Sequence, residues 1–180
     1  MSVKEPPAFI IKIAKPRYVL LLLLLFVVFT GGIMPSMEAD IKALSGGVGV
    51  IDLEFYYWPE KAKAMLNAYG EEGRHLYLIA QWTVDLVFPV IAGLFVATAL
   101  VVLQARRWWW IGLWVTLADW MENVWVTWLL LDDKGFSATV AMLSCLFTVL
   151  KWSGIFVGNL IILWSLIQLF KNKRGQMAKA

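Results

Sequence analysis

Asp85, Asp119, Glu122 and Lys151 lie in stretches that are otherwise largely apolar. Carboxylates and an amine gathered away from water can transfer protons, act as a general acid and base, grip a small polar ligand, or lock helices together as an ion pair. Their cost implies partners. A charge near mid-bilayer costs on the order of 2.5–3.5 kcal/mol. The stretch from Gly112 to Leu131 holds two, Asp119 and Glu122, for about 6 kcal/mol. Its aliphatic side chains return only about 3–5 kcal/mol. That helix is marginal in lipid by itself and needs polar neighbours.

The spacing shows where those neighbours lie. Asp119, Glu122 and Asn123 stand at i, i+3 and i+4, so they cover one side of a helix that Thr116 and Thr127 extend. On the preceding segment Arg74, Gln81 and Asp85 recur at helical spacing, and on the following one Ser144, Thr148 and Lys151 do. Lipid offers no hydrogen bonds, so the three polar faces must meet. Counting about 1.5 Å per residue puts Asp119 and Lys151 at one level near the midplane. Asp85 shares a shallower level with Glu122 and Asn123. Pro89 cannot donate to the carbonyl four residues earlier, which leaves that of Asp85 as a spare acceptor at the polar level. Three acids face one base, and Asp85 and Glu122 are the pair expected to share a proton. Arg74 and His75 stand at the outer mouth, placed to offset part of the excess negative charge.

The elements that carry these residues are membrane spans. Of the 180 residues, 61% are hydrophobic and only 16% charged, against about 25% charged in a soluble domain. The expected fold is all-α: a polytopic membrane protein with four transmembrane helices and an external interfacial helix. The chain divides into a basic arm (1–17), a first span (18–34), an external segment with the interfacial helix (35–76), a three-helix polar-centred core (77–170) and a basic tail (171–180). Within the core the spans are drawn at Tyr77–Leu103, Trp109–Leu131 and Ala138–Phe170. Pro59 suits the first turn of the external helix, and Gly70 can stop it.

Lys and Arg gather in the arm, at Arg106 and Arg107, and in the tail, whereas the segment from Pro35 to Arg74 is acidic. That asymmetry places both termini in the cytoplasm. It also accounts for the basic residues without nucleic acid. The first span could instead be a cleaved leader, but Gly31 to Ser36 offers no small-x-small site. One His and one Cys leave no set of ligands for a zinc or haem site, and no Gly-rich phosphate loop is present. No cofactor or metal is therefore expected, and Cys145 reads as inert packing. Gly154 and Gly158 form a G-x-x-x-G that packs within the bundle or between subunits. Trp108, Trp109 and Trp110 anchor an interface, while Trp120, Trp125 and Trp128 receive no role.

The segments Pro59-Glu60-Lys61-Ala62, Gly70-Glu71-Glu72-Gly73-Arg74-His75-Leu76-Tyr77, Asp85-Leu86-Val87-Phe88-Pro89, Asp119-Trp120-Met121-Glu122-Asn123 and Phe147-Thr148-Val149-Leu150-Lys151-Trp152 occur in that order. Together they resemble a group of uncharacterised bacterial four-span membrane proteins. The resemblance implies a shared four-helix design with a polar centre and carries no activity. On the residues themselves, the leading expectation is a buried carboxylate–lysine site, opening outward, for a small or amphiphilic ligand. Its candidates are Asp85, Asp119, Glu122, Asn123, Lys151, Arg74, His75 and Gln81. The alternatives are a membrane-embedded acid–base enzyme acting on a lipid, and a structural subunit of a larger complex. Membrane lipid is a partner in every case, with a second copy or another membrane protein as further partners.

Overall fold

The computed structural model describes residues 5–132 and 135–177. Lys4 of the arm, Asp133 and Lys134 between the last two spans, and Lys179 of the tail lie outside the described residues.

Most of the described chain is helical, and the described residues contain no strand. A short α1 (Ala8–Ile13) precedes α2 (Pro16–Val28), a π-helical turn (Phe29–Ile33) and α3 (Met34–Leu44). A single 3₁₀ turn (Ile51–Leu53) leads to the long α4 (Pro59–Val102). A second such turn (Arg106–Trp108) joins α4 to α5 (Trp110–Leu131), and α6 (Ala138–Met177) closes the described chain. Among the described residues three helical stretches are long and apolar enough to cross a membrane: Pro16–Leu44, Pro59–Val102 and Ala138–Asn172. None of the apolar window of the first is buried, against 61% of that in α4, so the α2–α3 rod lies at the periphery. The two most extensive helix interfaces join α5 to α4 and to α6. The helix that carries Asp119 and Glu122 is thus sandwiched between the two that carry Asp85 and Lys151.

Two boundaries differ from the sequence reading. The first helix does not end at Met34 but continues through Pro35 to Leu44. Proline in a helix clashes with the carbonyl one turn earlier, and the π turn at Phe29–Ile33 widens the helix just there. Gly70 bends the fourth helix rather than stopping it. It is the one residue of α4 outside helical backbone geometry, at φ 60° and ψ −168°, and the helix resumes at once. Arg74 Nε donates to the Leu66 carbonyl across this kink at 3.1 Å.

The G-x-x-x-G of α6 packs inside the chain. A Cβ on Gly158 would meet Val96 and Ile111 at 3.2 and 3.3 Å, and one on Gly154 would meet Trp114 and Val115 at 2.9 Å. A second glycine contact, between Gly93 of α4 and Gly112 of α5, is closer still: a Cβ on Gly93 would lie 2.5 Å from the Gly112 carbonyl oxygen.

Candidate functional site

Lys151 is the hub. Its ammonium lies 2.5 Å from Glu122 Oε2 and 3.5 Å from Asp119 Oδ1. It also donates to the Asp52 carbonyl at 3.4 Å. The expected Asp119–Lys151 pair is therefore present, with Glu122 as the nearer partner. The other Glu122 oxygen, Oε1, accepts from Thr148 Oγ1 at 2.5 Å. Thr148 lies one turn before Lys151 on the same face of α6, which is why the stripe read from sequence converges on one carboxylate. One turn further, Ser144 Oγ accepts from the Tyr57 hydroxyl at 2.7 Å. Burial holds the Tyr57 phenol well above the usual tyrosine range, so it stays an O–H donor. The main-chain N–H of Tyr57 points to Cys145 Sγ at 3.4 Å; the cysteine is buried among packing groups.

Asp52 and Tyr77 are site residues that the sequence reading did not single out. The 3₁₀ turn at Ile51–Leu53 folds into the bundle against α5 and α6, and only 4% of Asp52 remains exposed. Tyr77 donates to Asp52 Oδ1 at 2.7 Å, and Trp152 Nε1 donates to the Asp52 carbonyl at 3.4 Å. The available signal is weak: Asp52 lies in an apolar run, Val48 to Leu53, inside a segment otherwise rich in charge.

Asp85 is held by its backbone. Asn123 Nδ2 donates to the Asp85 carbonyl at 2.9 Å, which is the acceptor that Pro89 releases. Trp120 Nε1 donates to the Leu86 carbonyl and Thr116 Oγ1 to the Pro89 carbonyl, at 3.1 and 2.8 Å. Trp120 thus gains the role that its sequence position did not reveal. The Asp85 carboxylate is buried, and no hydrogen bond or ion pair among the described residues reaches it. It faces a cavity of about 30 Å³ whose wall includes Glu38, Asp52, Tyr77, Met34 and Met37. Glu38 at this cavity is already paired with Lys42 at 2.7 Å.

Gln81 lies one turn from Asp85 on α4, 1% exposed, and neither amide atom has a partner among the described residues. Asn123 Oδ1 is likewise unpaired. Buried amides of this kind are met by ordered water or a ligand. Arg74 and His75 do not join the cluster. They line a separate pocket at the α4 kink, and among the described residues Lys151 is the one cation paired with the buried carboxylates. No three His, Cys, Asp or Glu side chains among the described residues gather as metal ligands do. The arrangement places Asp119, Glu122 and the Asp52 carbonyl around one ammonium, with the Asp85 carboxylate at a neighbouring cavity that Asp52 also lines.

The Asn123 contact is testable by itself. Asn123→Leu should lower the stability of the detergent-solubilised protein by about 1–3 kcal/mol, because it leaves the Asp85 carbonyl buried without a donor. Thermal unfolding followed by tryptophan fluorescence measures it, and an unchanged midpoint would show that the carbonyl has another partner.

No protein-family model, curated protein or solved structure matches this chain.

Proposed function

We propose that this protein is a four-span bundle of the bacterial inner membrane whose carboxylate cluster binds a small or amphiphilic ammonium compound. In this reading α2–α3, α4, α5 and α6 are the spans, both termini are cytoplasmic, and the helix from Pro59 to the Gly70 kink lies along the outer interface. The observation that carries the binding site is the Asp85 carboxylate, buried at a cavity without a partner. An isolated buried charge is too costly to stand alone, so a proton or a cation must neutralise it. Lys151 shows the coordination such a cation would find nearby: carboxylate oxygens and a main-chain carbonyl around an ammonium. The cavity has room for an –NH₃⁺ group but not for a quaternary head. Met34, Met37 and Val84 at its wall give an alkyl tail an apolar exit between α3 and α4. A purely structural role fits less well, because it calls for every carboxylate to be paired.

The test is a thermal-shift titration of the purified protein with ethylammonium and decylammonium, using tetramethylammonium as the size control. A ligand that binds the folded state raises the midpoint by mass action. The primary amines should raise it, tetramethylammonium should not, and Asp85→Asn should remove the response. An equal shift in Asp85→Asn would sink the assignment. A second reading, proton handling, is favoured by the hydroxyl contacts Tyr57–Ser144 and Thr148–Glu122 beside the ion pair. No amine response, together with proton uptake into proteoliposomes that Glu122→Gln abolishes, would move the assignment there.

A further inference from the structure

The kink at Gly70 opens a second pocket, of about 760 Å³, between α4 and the end of α5. Its polar wall carries Glu71, Arg74 and His75, and its apolar wall carries Leu78, Leu130 and Leu131. Arg74 is oriented by the bond from its Nε to the Leu66 carbonyl. Among the described residues, nothing else accepts from its guanidinium, so the outer edge of the fork is open. A fixed guanidinium with two N–H groups facing outward matches phosphate geometry. Glu71 stands three residues earlier, on the same side of the helix, where an ion pair with Arg74 would ordinarily form. Among the described residues no such pair exists: the salt bridges lie elsewhere. A carboxylate and a guanidinium thus stand in one pocket, each available to an outside group of opposite sign. Leu131, on the apolar wall, is 59% exposed, and α5 ends there, one residue before Asp132. The pocket therefore has a polar side and an apolar side at the end of α5, which lies at the headgroup level if α5 is a span as in the proposed function.

We propose that this pocket seats a phospholipid with a primary-amine zwitterionic headgroup, its phosphate on Arg74 and His75 and its ammonium on Glu71, its chains leaving over Leu78 and Leu131. The site is independent of the ammonium cavity at Asp85. Glu71 distinguishes among headgroups. A carboxylate rewards N–H donors, which phosphatidylethanolamine has and phosphatidylcholine lacks, and a phosphatidylglycerol head has no cation to offer.

Native mass spectrometry of the full chain, released from bilayers with equal parts of the three lipids, reads the preference directly. Phosphatidylethanolamine should be retained about tenfold over the other two, a difference at the lower end of what one hydrogen bond to a charged group contributes. Glu71→Gln should erase that preference, and Arg74→Lys, which keeps the charge but not the fork, should lower retention of all three lipids. Absence of a preference in the unmodified protein would overturn the proposal without recourse to any variant. Stripping of the bound lipid by inorganic phosphate alone would overturn it too, and would assign the pocket to a soluble anion.

Discussion

Lys151→Met should destabilise this protein more than any other single substitution in the cluster, by about 3–5 kcal/mol, the usual consequence of removing one partner of a buried pair. Glu122, fully buried, would lose the ammonium 2.5 Å from its Oε2, and Asp119 would lose the same cation at 3.5 Å. Both carboxylates are buried, Glu122 completely and Asp119 with 5% exposed. The double variant Lys151→Met/Glu122→Gln removes both charges of the close pair and keeps a group that can accept from Thr148. It should recover much of the loss, with a coupling of about 1–3 kcal/mol. Lys151→Met/Asp119→Asn should recover less, because that pair is longer. Denaturant titration in micelles, read by tryptophan fluorescence, gives the cycle. Strict additivity for Lys151 and Glu122 would show that the close pair contributes nothing of its own.

This ranking of partners marks the limit of what the sequence could show. Covalent geometry was legible: Pro89 has no N–H, so the Asp85 carbonyl had to be spare, and Asn123 meets it. Helical spacing was legible as well, since Asp119, Glu122 and Asn123 share a side, and Ser144, Thr148 and Lys151 share another. The level of Lys151 followed from counting residues, but an uncertainty of one turn spans the separation between Asp119 and Glu122, so which of the two lies nearer could not follow. Asp52 was out of reach for a different reason. Its carbonyl meets Lys151 across 99 residues of chain, and only the docking of a short turn into the bundle brings it there. Arg74 was read on the stripe of Gln81 and Asp85, but it stands eleven residues before Asp85, about 16 Å along the helix, and its Nε is held by the Leu66 carbonyl across the bend at Gly70. A single residue at φ 60° redirects everything before it, and spacing along a straight helix does not register such a bend.

Gly112→Ala should carry the largest cost among the glycine substitutions, about 1–3 kcal/mol or somewhat more, as overpacking does when backbone must move. A methyl there would lie 2.9 Å from the main-chain nitrogen of Ala97 and would run into the Gly93 carbonyl oxygen. Backbone cannot rotate out of the way as a side-chain tip can, so α4 and α5 must separate. Separation strains three contacts at once, those from Thr116, Trp120 and Asn123 to the carbonyls of Pro89, Leu86 and Asp85. Close approach of small residues joined by side-chain hydrogen bonds is how helices associate where no hydrophobic drive separates protein from solvent. Gly154→Ala is the matched control. Its Cβ would also meet neighbours at 2.9 Å, but these are side-chain atoms, the Trp114 ring and a Val115 methyl, which give way at less cost than main chain does. Gly31→Ala, with nothing within 4 Å, should be neutral. The expected order of unfolding midpoints is therefore Gly31→Ala highest, Gly154→Ala intermediate and Gly112→Ala lowest. Equal losses at Gly112 and Gly154 would mean that the α4–α5 seam tolerates separation, and that the cluster it positions depends on the Lys151 ion pair instead.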